Sequence, residues 1–364
     1  MKTNNTHLLF VNKVFGTAPL SYQWYFNTNT LLPNATNTSL TLTNVQTNIA
    51  GWYSVIVTNS LGTTNATARL TVLTNTPSSG LIGWATVDGN TTGGAGGPTV
   101  TVTTAADLNT YATKATPYII QVQGTINLTA AIRTTSNKTI IGLGTNATVI
   151  GSFGLYGVSN IIIQNLTIAN LPNVGESDGI TIKPAYHVWV DHCTFYDCPD
   201  GMVDCTHAAD YITISWCKFY YINQTTHKFC NLVGGADSST SDRGHLKITF
   251  HHNWWSTGCS ERMPRGRFGP VHVFNCYYTC TGNSYCMDSG VEMQIRAENN
   301  YFKGVNNPLE IGDVTGALVS VGNIFDNTTG RKDTGGTVFT PPYAYTLDPA
   351  ANVPAIVQAG AGPK

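Results

Sequence analysis

Seven short segments decide the architecture. They are Ile161-Ile162-Ile163-Gln164-Asn165, Val188-Trp189-Val190-Asp191-His192, Ile212-Thr213-Ile214-Ser215-Trp216, Ile248-Thr249-Phe250-His251-His252, Val271-His272-Val273-Phe274-Asn275, Glu298-Asn299-Asn300-Tyr301-Phe302 and Val319-Ser320-Val321-Gly322-Asn323. Aligned on Asn165, His192, Trp216, His252, Asn275, Asn299 and Asn323, they recur at steps of 27, 24, 36, 23, 24 and 24 residues. A self-similar step of that size means one structural coil per repeat. The units carry inward-pointing β-branched residues and no helical period, so stacked parallel coils would bury them in one continuous core. Repeated Asn at the turn position suggests side-chain amides bonding the coils above and below. The long 36-residue step carries an insertion, and insertions in a solenoid become loops on one face, often the binding face.

The flanking sequence fits this frame. Thr104-Ala105-Ala106-Asp107 can cap a short helix through Tyr111 that covers one end of the core. Gly93-Gly94-Ala95-Gly96-Gly97-Pro98 is a glycine-rich turn with no strand-to-helix context, so it is given no phosphate-binding role. Before residue 75 the pattern is different: short alternating strands at Ser21–Tyr25, Ser39–Leu42, Gly51–Val57 and Ala68–Val72, separated by turn residues. Such spacing reads as a small β-sandwich with Trp24 and Tyr53 in its core.

Composition narrows the function. Charged residues are 11% of the chain, against about 25% in an average soluble domain. With 41% hydrophobic residues the chain is not disordered. Net charge is −1, without the basic excess expected of a nucleic-acid binder. No apolar run approaches the roughly 18 residues of a membrane helix. Met1–Phe10 lacks a signal-peptide pattern, and the sequence is expected to begin inside a larger secreted protein. Nine cysteines lie between Cys193 and Cys286 without a CxxC pair, so a zinc site is not expected. They read as buried small hydrophobes, with room for one or two disulfides and at least one unpaired thiol.

Three segments carry chemistry. Asp178-Gly179-Ile180-Thr181-Ile182 leads into Val188-Trp189-Val190-Asp191-His192-Cys193, and Asp200-Gly201-Met202-Val203-Asp204 follows. Arg262-Met263-Pro264-Arg265-Gly266-Arg267-Phe268-Gly269 then leads into Val271–Asn275. Together, in this order and on this repeat, they resemble the pectate lyases of polysaccharide lyase family 1, over roughly residues 80–330. The front segment resembles bacterial immunoglobulin-like modules, without their cysteine pair.

The resemblance implies an all-β chain: a right-handed parallel β-helix preceded by a small immunoglobulin-like β-sandwich. The expected boundaries are residues 1–75 for the sandwich, 76–80 for a linker, 81–345 for the β-helix and 346–364 for a tail. It implies Ca²⁺ as cofactor, with Asp178, Asp200 and Asp204 as ligands. Lys228 matches the family's substrate-binding lysine, Arg262 its catalytic arginine, and Arg267 a second arginine that holds substrate. Lys228 is counted with Arg262 in the catalytic set. Asp191 and His192 read as structural.

The physics of the residues agrees. Calcium takes about six to eight oxygens, largely from carboxylates, carbonyls and water. Asp200 and Asp204 fall on one coil and Asp178 on the one before, and coils about 4.8 Å apart let three carboxylates converge. Any one of these Asp residues alone would ordinarily be a turn cap; the pattern of three implies a cation.

The implied reaction is β-elimination on α-1,4-polygalacturonate, giving 4,5-unsaturated products. A carboxylate beside the C5 proton resists carbanion formation until cations neutralise it, which accounts for acids and bases in one groove. Two other readings stay open. One is a pectin lyase acting on methyl-esterified polymer without calcium. The other is a non-catalytic β-helix that binds cell-wall polysaccharide. The expected partner is polygalacturonate or low-ester pectin, with no nucleic acid and no membrane, for a secreted monomer.

Overall fold

The computed structural model describes residues 7–11, 16–27, 29–43, 49, 51–70, 80–223 and 226–364. The chain divides into two compact units, Met1–Thr76 and Pro77–Lys364. Among the described residues no helix is long and apolar enough to cross a membrane.

In the first unit, His7–Val11 pairs antiparallel with Ser39–Thr43. A four-stranded antiparallel sheet runs in the order Thr30–Leu31, Ser21–Phe26, Gly51–Asn59, Gly62–Leu70. Trp24, Tyr53, Val55 and Val57 of this sheet share a face and, with Leu40 of the strand Ser39–Thr43, form the core of the unit. Trp24 Nε1 donates to the Asn37 carbonyl at 2.9 Å, and the Tyr53 hydroxyl donates to the Ile49 carbonyl at 2.8 Å. Thr71, Val72 and, apart from Gly80, the expected linker lie outside the described residues.

The second unit is a right-handed parallel β-helix. Its parallel strands form a 16-stranded and a 9-stranded sheet. Successive coils stack β-branched residues in interior columns such as Ile161, Val188, Ile212, Ile248, Val271 and Ile295, which the register extends back to Lys138 and on to Leu318. The helix Ala105–Ala112 starts at Thr104, whose Oγ1 accepts from the Asp107 amide at 3.1 Å, and it buries Leu108 and Ala112 in the end of this core. All nine cysteines are free and buried.

The turn column has a backbone cause beside the one the repeat suggested. Asn165, His192, Trp216, His252, Asn275 and Asn299 all have positive φ, between 47° and 57°. Asn is favoured there because its short polar side chain tolerates the left-handed region. The register pairs Glu298 with Val321, so the next coil's turn residue is Gly322, φ 64°, and Asn323 falls opposite Asn300. Turn-position amides do bond neighbouring coils, Asn165 Nδ2 to the Gly142 carbonyl at 2.8 Å and Asn275 Nδ2 to the Asn299 carbonyl at 3.2 Å, and the inner position adds further inter-coil bonds. Asn253 Oδ1 accepts from Cys217 N, Asn300 Oδ1 from Cys276 N, and Asn323 Oδ1 from Asn300 N.

From Phe339 the chain runs back over the coils. Phe339 N donates to Gln294 Oε1. The Tyr343 hydroxyl lies 2.8 Å from Thr249 Oγ1 and from His272 Nδ1. Asp348 binds Asn275, Asn299 and His252. The helix Val353–Gly360 packs Val353 and Val357 on Tyr277. Gly362 N donates to the Trp216 carbonyl, and Lys364 N to Asn165 Oδ1.

Candidate active site

One ladder row on the outer face of the larger sheet organises the site. Strand pairing aligns Arg133, Gly154, Thr181 and Asp204 on successive coils, and Leu232, Arg265, Asp288 and Glu310 on the following ones. The extra residues of the long coil fall on both sides of the strand Leu232–Val233. Residues 221–231 carry Lys228, and residues 234–247 carry Asp237.

Asp178 lies just before the strand Ile180–Asp191 and is buried. The Thr181 hydroxyl donates to its Oδ2 at 2.6 Å, while its Oδ1 is buried without a hydrogen-bond partner. Burial, and then the charge of Asp204, push its carboxyl far above the usual carboxylate range. Asp204, on the strand Val203–Cys205, is also buried, and its Oδ1 accepts from Leu232 N at 3.0 Å. Burial raises this carboxyl too, against the Leu232 amide and the charge of Arg262. The DGxxD spacing has a steric reason here: a Cβ on Gly201 would stand 2.4 Å from Asp204 Oδ1.

Asp200 is half-exposed and turned to His227, whose Nε2 lies 2.6 Å from its Oδ1. So the structure brings Asp178 and Asp204 together, with Asp200 near enough for its charge to raise both carboxyls while its own Oδ1 faces His227. Among the described residues, no three His, Cys, Asp or Glu side chains are gathered closely enough to hold a metal ion. The donor chemistry nonetheless fits a hard cation. Two buried carboxyls repel each other, and one presents an oxygen that nothing satisfies.

The cationic residues differ in how committed they are. The Lys228 carbonyl accepts from Ser260 N, and its ammonium has no hydrogen bond or ion pair among the described residues. Arg262, φ 60°, sets its guanidinium carbon 4.3 Å from the centre of the Phe229 ring, and its Nε is buried without a hydrogen bond. Arg267 is already occupied: its Nε donates to Asp237 Oδ1 at 2.5 Å and its Nη1 to the Gly234 carbonyl at 3.4 Å.

Sequence reasoning passed over Phe229, Lys183 and Arg265. Lys183 pairs Glu176 and lowers the pKa of both Asp178 and Asp204. Arg265 Nε lies 2.9 Å from Asp288 Oδ2, without hydrogen-bond alignment. Strand alternation was the available signal for Arg265, since Arg265-Gly266 is a strand whose outward residue joins the row of Asp204. Asp191 and His192 bond to each other and to Ser215, away from this row, as a structural pair would.

Comparison with known proteins gives these features a context. The pectate lyase family profile matches residues 58–346. The chain is 36% identical over 309 residues to a pectate trisaccharide-lyase of Bacillus licheniformis, covering 78% of this chain and 86% of that protein. It is 41% identical over 231 residues to a probable pectate lyase B of Aspergillus flavus, covering 60% and 68%. A solved pectate lyase of Bacillus sp. N165, in complex with trigalacturonate, is similar at 31% identity and a TM-score of 0.68, covering 78% of this chain and 99% of that one. The match to most of the β-helix, by sequence and by fold, makes this chain a member of the pectate lyase family and a polysaccharide lyase.

Proposed function

We propose that the outer groove around Asp204 binds polygalacturonate and cleaves it by β-elimination with Ca²⁺ held by Asp178, Asp200 and Asp204. The observation that carries this reading is the unsatisfied, buried Oδ1 of Asp178 beside the buried carboxyl of Asp204. Asp200 completes the set by releasing His227. A bound calcium ion supplies the positive charge that lets protein and uronate carboxylates share one site and that acidifies the neighbouring C–H.

Lys228, whose ammonium has no partner among the described residues, takes a uronate carboxylate. Arg267 does so as well, on exchanging its contact with Asp237. Arg262 removes the C5 proton. The C–H electron pair becomes the C4–C5 double bond, and the glycosidic oxygen leaves C4 with its bonding pair and is protonated by water.

A guanidinium in water keeps its proton above pH 12. In this site the Arg262 Nε is buried without a hydrogen bond and the guanidinium is held on the Phe229 ring.

The front unit is proposed as an immunoglobulin-like accessory module. Support comes from its buried Trp24 and from the Tyr53 hydroxyl on a carbonyl four residues upstream, a contact that resembles the tyrosine corner of such sandwiches. A cell-wall polymer as substrate implies action outside the cell, and the enzyme is proposed to act as a monomer.

Initial rates of 4,5-unsaturated product formation test the reading, on unesterified and highly esterified polymer, each with calcium or chelator. Calcium-dependent cleavage that favours the unesterified polymer is expected. Chelator-resistant cleavage favouring the ester would mean a pectin lyase, and binding without product absorbance a non-catalytic β-helix.

A further inference from the structure

Arginines in the β-helix fall into two groups. Arg243, Arg265, Arg267, Arg296 and Arg331 each pair with a carboxylate. Arg133 and Arg262 do not; each rests on an aromatic ring instead, Arg133 on Tyr156 at 4.8 Å and Arg262 on Phe229 at 4.3 Å. Arg133 is exposed, and among the described residues its guanidinium has no hydrogen bond or ion pair. It therefore offers a full charge and an open fork of N–H donors, already oriented by stacking.

The platform beneath it is built for that purpose. Tyr156 lies across the outer face of its strand, over Gly154, where a Cβ would stand 2.2 Å from the ring. The Tyr156 hydroxyl donates to Glu176 Oε1 at 3.0 Å, and Lys183 pairs the other oxygen of Glu176. Glu176 is thus neutralised, and the region keeps one positive charge. Arg133, Tyr156 and Glu176 line a cleft of about 380 Å³ together with Ala131 and Gly175.

Position gives this cleft a meaning. Arg133 stands in the same ladder row as Asp204, separated by Gly154 and Thr181. Three coil steps of about 4.8 Å put it about 14 Å away along the axis of the β-helix. A pyranose unit advances a polysaccharide by a length comparable to one coil, so a chain lying along the row meets Arg133 about three units from the centre.

We propose that Arg133, held on Tyr156, forms an outlying subsite that binds the carboxylate of a galacturonate residue about three units from the bond cleaved. The inference rests on the groove being a polygalacturonate site. It makes the enzyme favour longer, unesterified substrates, since a methyl ester removes the charge that a guanidinium pairs bidentately.

The test compares kcat/KM for hexagalacturonate with that for trigalacturonate in wild type, Arg133→Ala, Arg133→Lys and Tyr156→Leu. Losing a charge-assisted pair is expected to cut the hexamer-to-trimer ratio roughly tenfold in Arg133→Ala, with smaller losses in the other two. An unchanged ratio in a folded Arg133→Ala protein overturns the subsite. Hexagalacturonate binding, measured calorimetrically in the same proteins, separates this from the parent reading. Weaker binding by Arg133→Ala in a protein that never cleaves would keep the subsite and sink the reaction; equal binding would sink the subsite.

Discussion

The guanidinium of Arg262 and the ring of Phe229 form a cation–π pair at 4.3 Å, one coil apart across the turn that precedes the outer strands. The ring fixes the arginine without neutralising it, as a carboxylate would. Phe229→Leu should therefore lower kcat roughly tenfold while KM changes little. Arg262→Ala should remove about 10²–10⁴-fold of the rate, with native circular dichroism and calcium titration. Arg262→Lys should be severely impaired too, because an ammonium cannot reproduce the planar stack. Substantial turnover by Arg262→Ala would take the base role from this residue.

Asp178 and Asp204 should make the metal-free protein less stable than it could be. A carboxyl held far above its ordinary value costs stability near neutral pH, a cost that Asn does not carry, and Asn can still accept from Thr181. Asp178→Asn should stabilise the chelator-treated protein by on the order of 1 kcal/mol and so raise its melting temperature. The same substitution should abolish the further rise that calcium gives wild type. Thermal melts with calcium or chelator read both effects, and an intact calcium shift in Asp178→Asn would remove it from the ligand set.

Acid should weaken the β-helix through three buried histidines. Burial, then the charges of His252, His272 and His192, hold His251 well below the ordinary value of 6.5. Burial also lowers His252 and His272, against the carboxylates of Asp348 and Glu298 that raise them. Below about pH 6.5 the unfolded chain takes up protons that the folded one refuses. Stability is thus complete above that pH and falls as acid is added. His251→Gln should flatten the slope between about pH 6.5 and 5 by up to about 1.4 kcal/mol per pH unit, as denaturant titrations would show. An unchanged slope would mean that His251 takes its proton in the folded state.

Deleting residues 1–78 should leave cleavage of soluble polygalacturonate nearly intact, changing kcat/KM by less than about twofold. The two units each have their own core, which is the ground for this expectation. Retention on insoluble cell-wall material is where the loss should appear. An insoluble or inactive remainder would show that the β-helix depends on the front unit.

The repeat was legible because every coil must place apolar residues inside, a demand that writes itself at a fixed spacing. Its finer register was not. Asn323 looks like a turn residue, but pairing of Glu298 with Val321 gives that place to Gly322, which meets the same positive-φ requirement without an amide. The acidic and basic site residues could be found because their motifs are local. Phe229 and Tyr156 could not, since a ring under a guanidinium is a relation between coils that no spacing announces. Asp200 was legible as a carboxylate near the others, yet its contact with His227 depends on a loop conformation.

The returning segment from Phe339 onward changes how the stack can fail. In an open solenoid each coil leans only on its neighbours, and the ends can fray one coil at a time. Here contacts at Gln294, Asn275, Thr249 and Trp216 tie one face together, and the bond between Asn165 and Lys364 joins residues 199 positions apart. Separating the coils that the seam crosses must break it along much of its length. Such a closure slows folding, because a long loop is closed before its contacts are gained. It slows escape from the native state as well wherever those contacts form after the folding barrier. For an enzyme exposed to proteases, lifetime then depends on the height of an unfolding barrier more than on the depth of the native well.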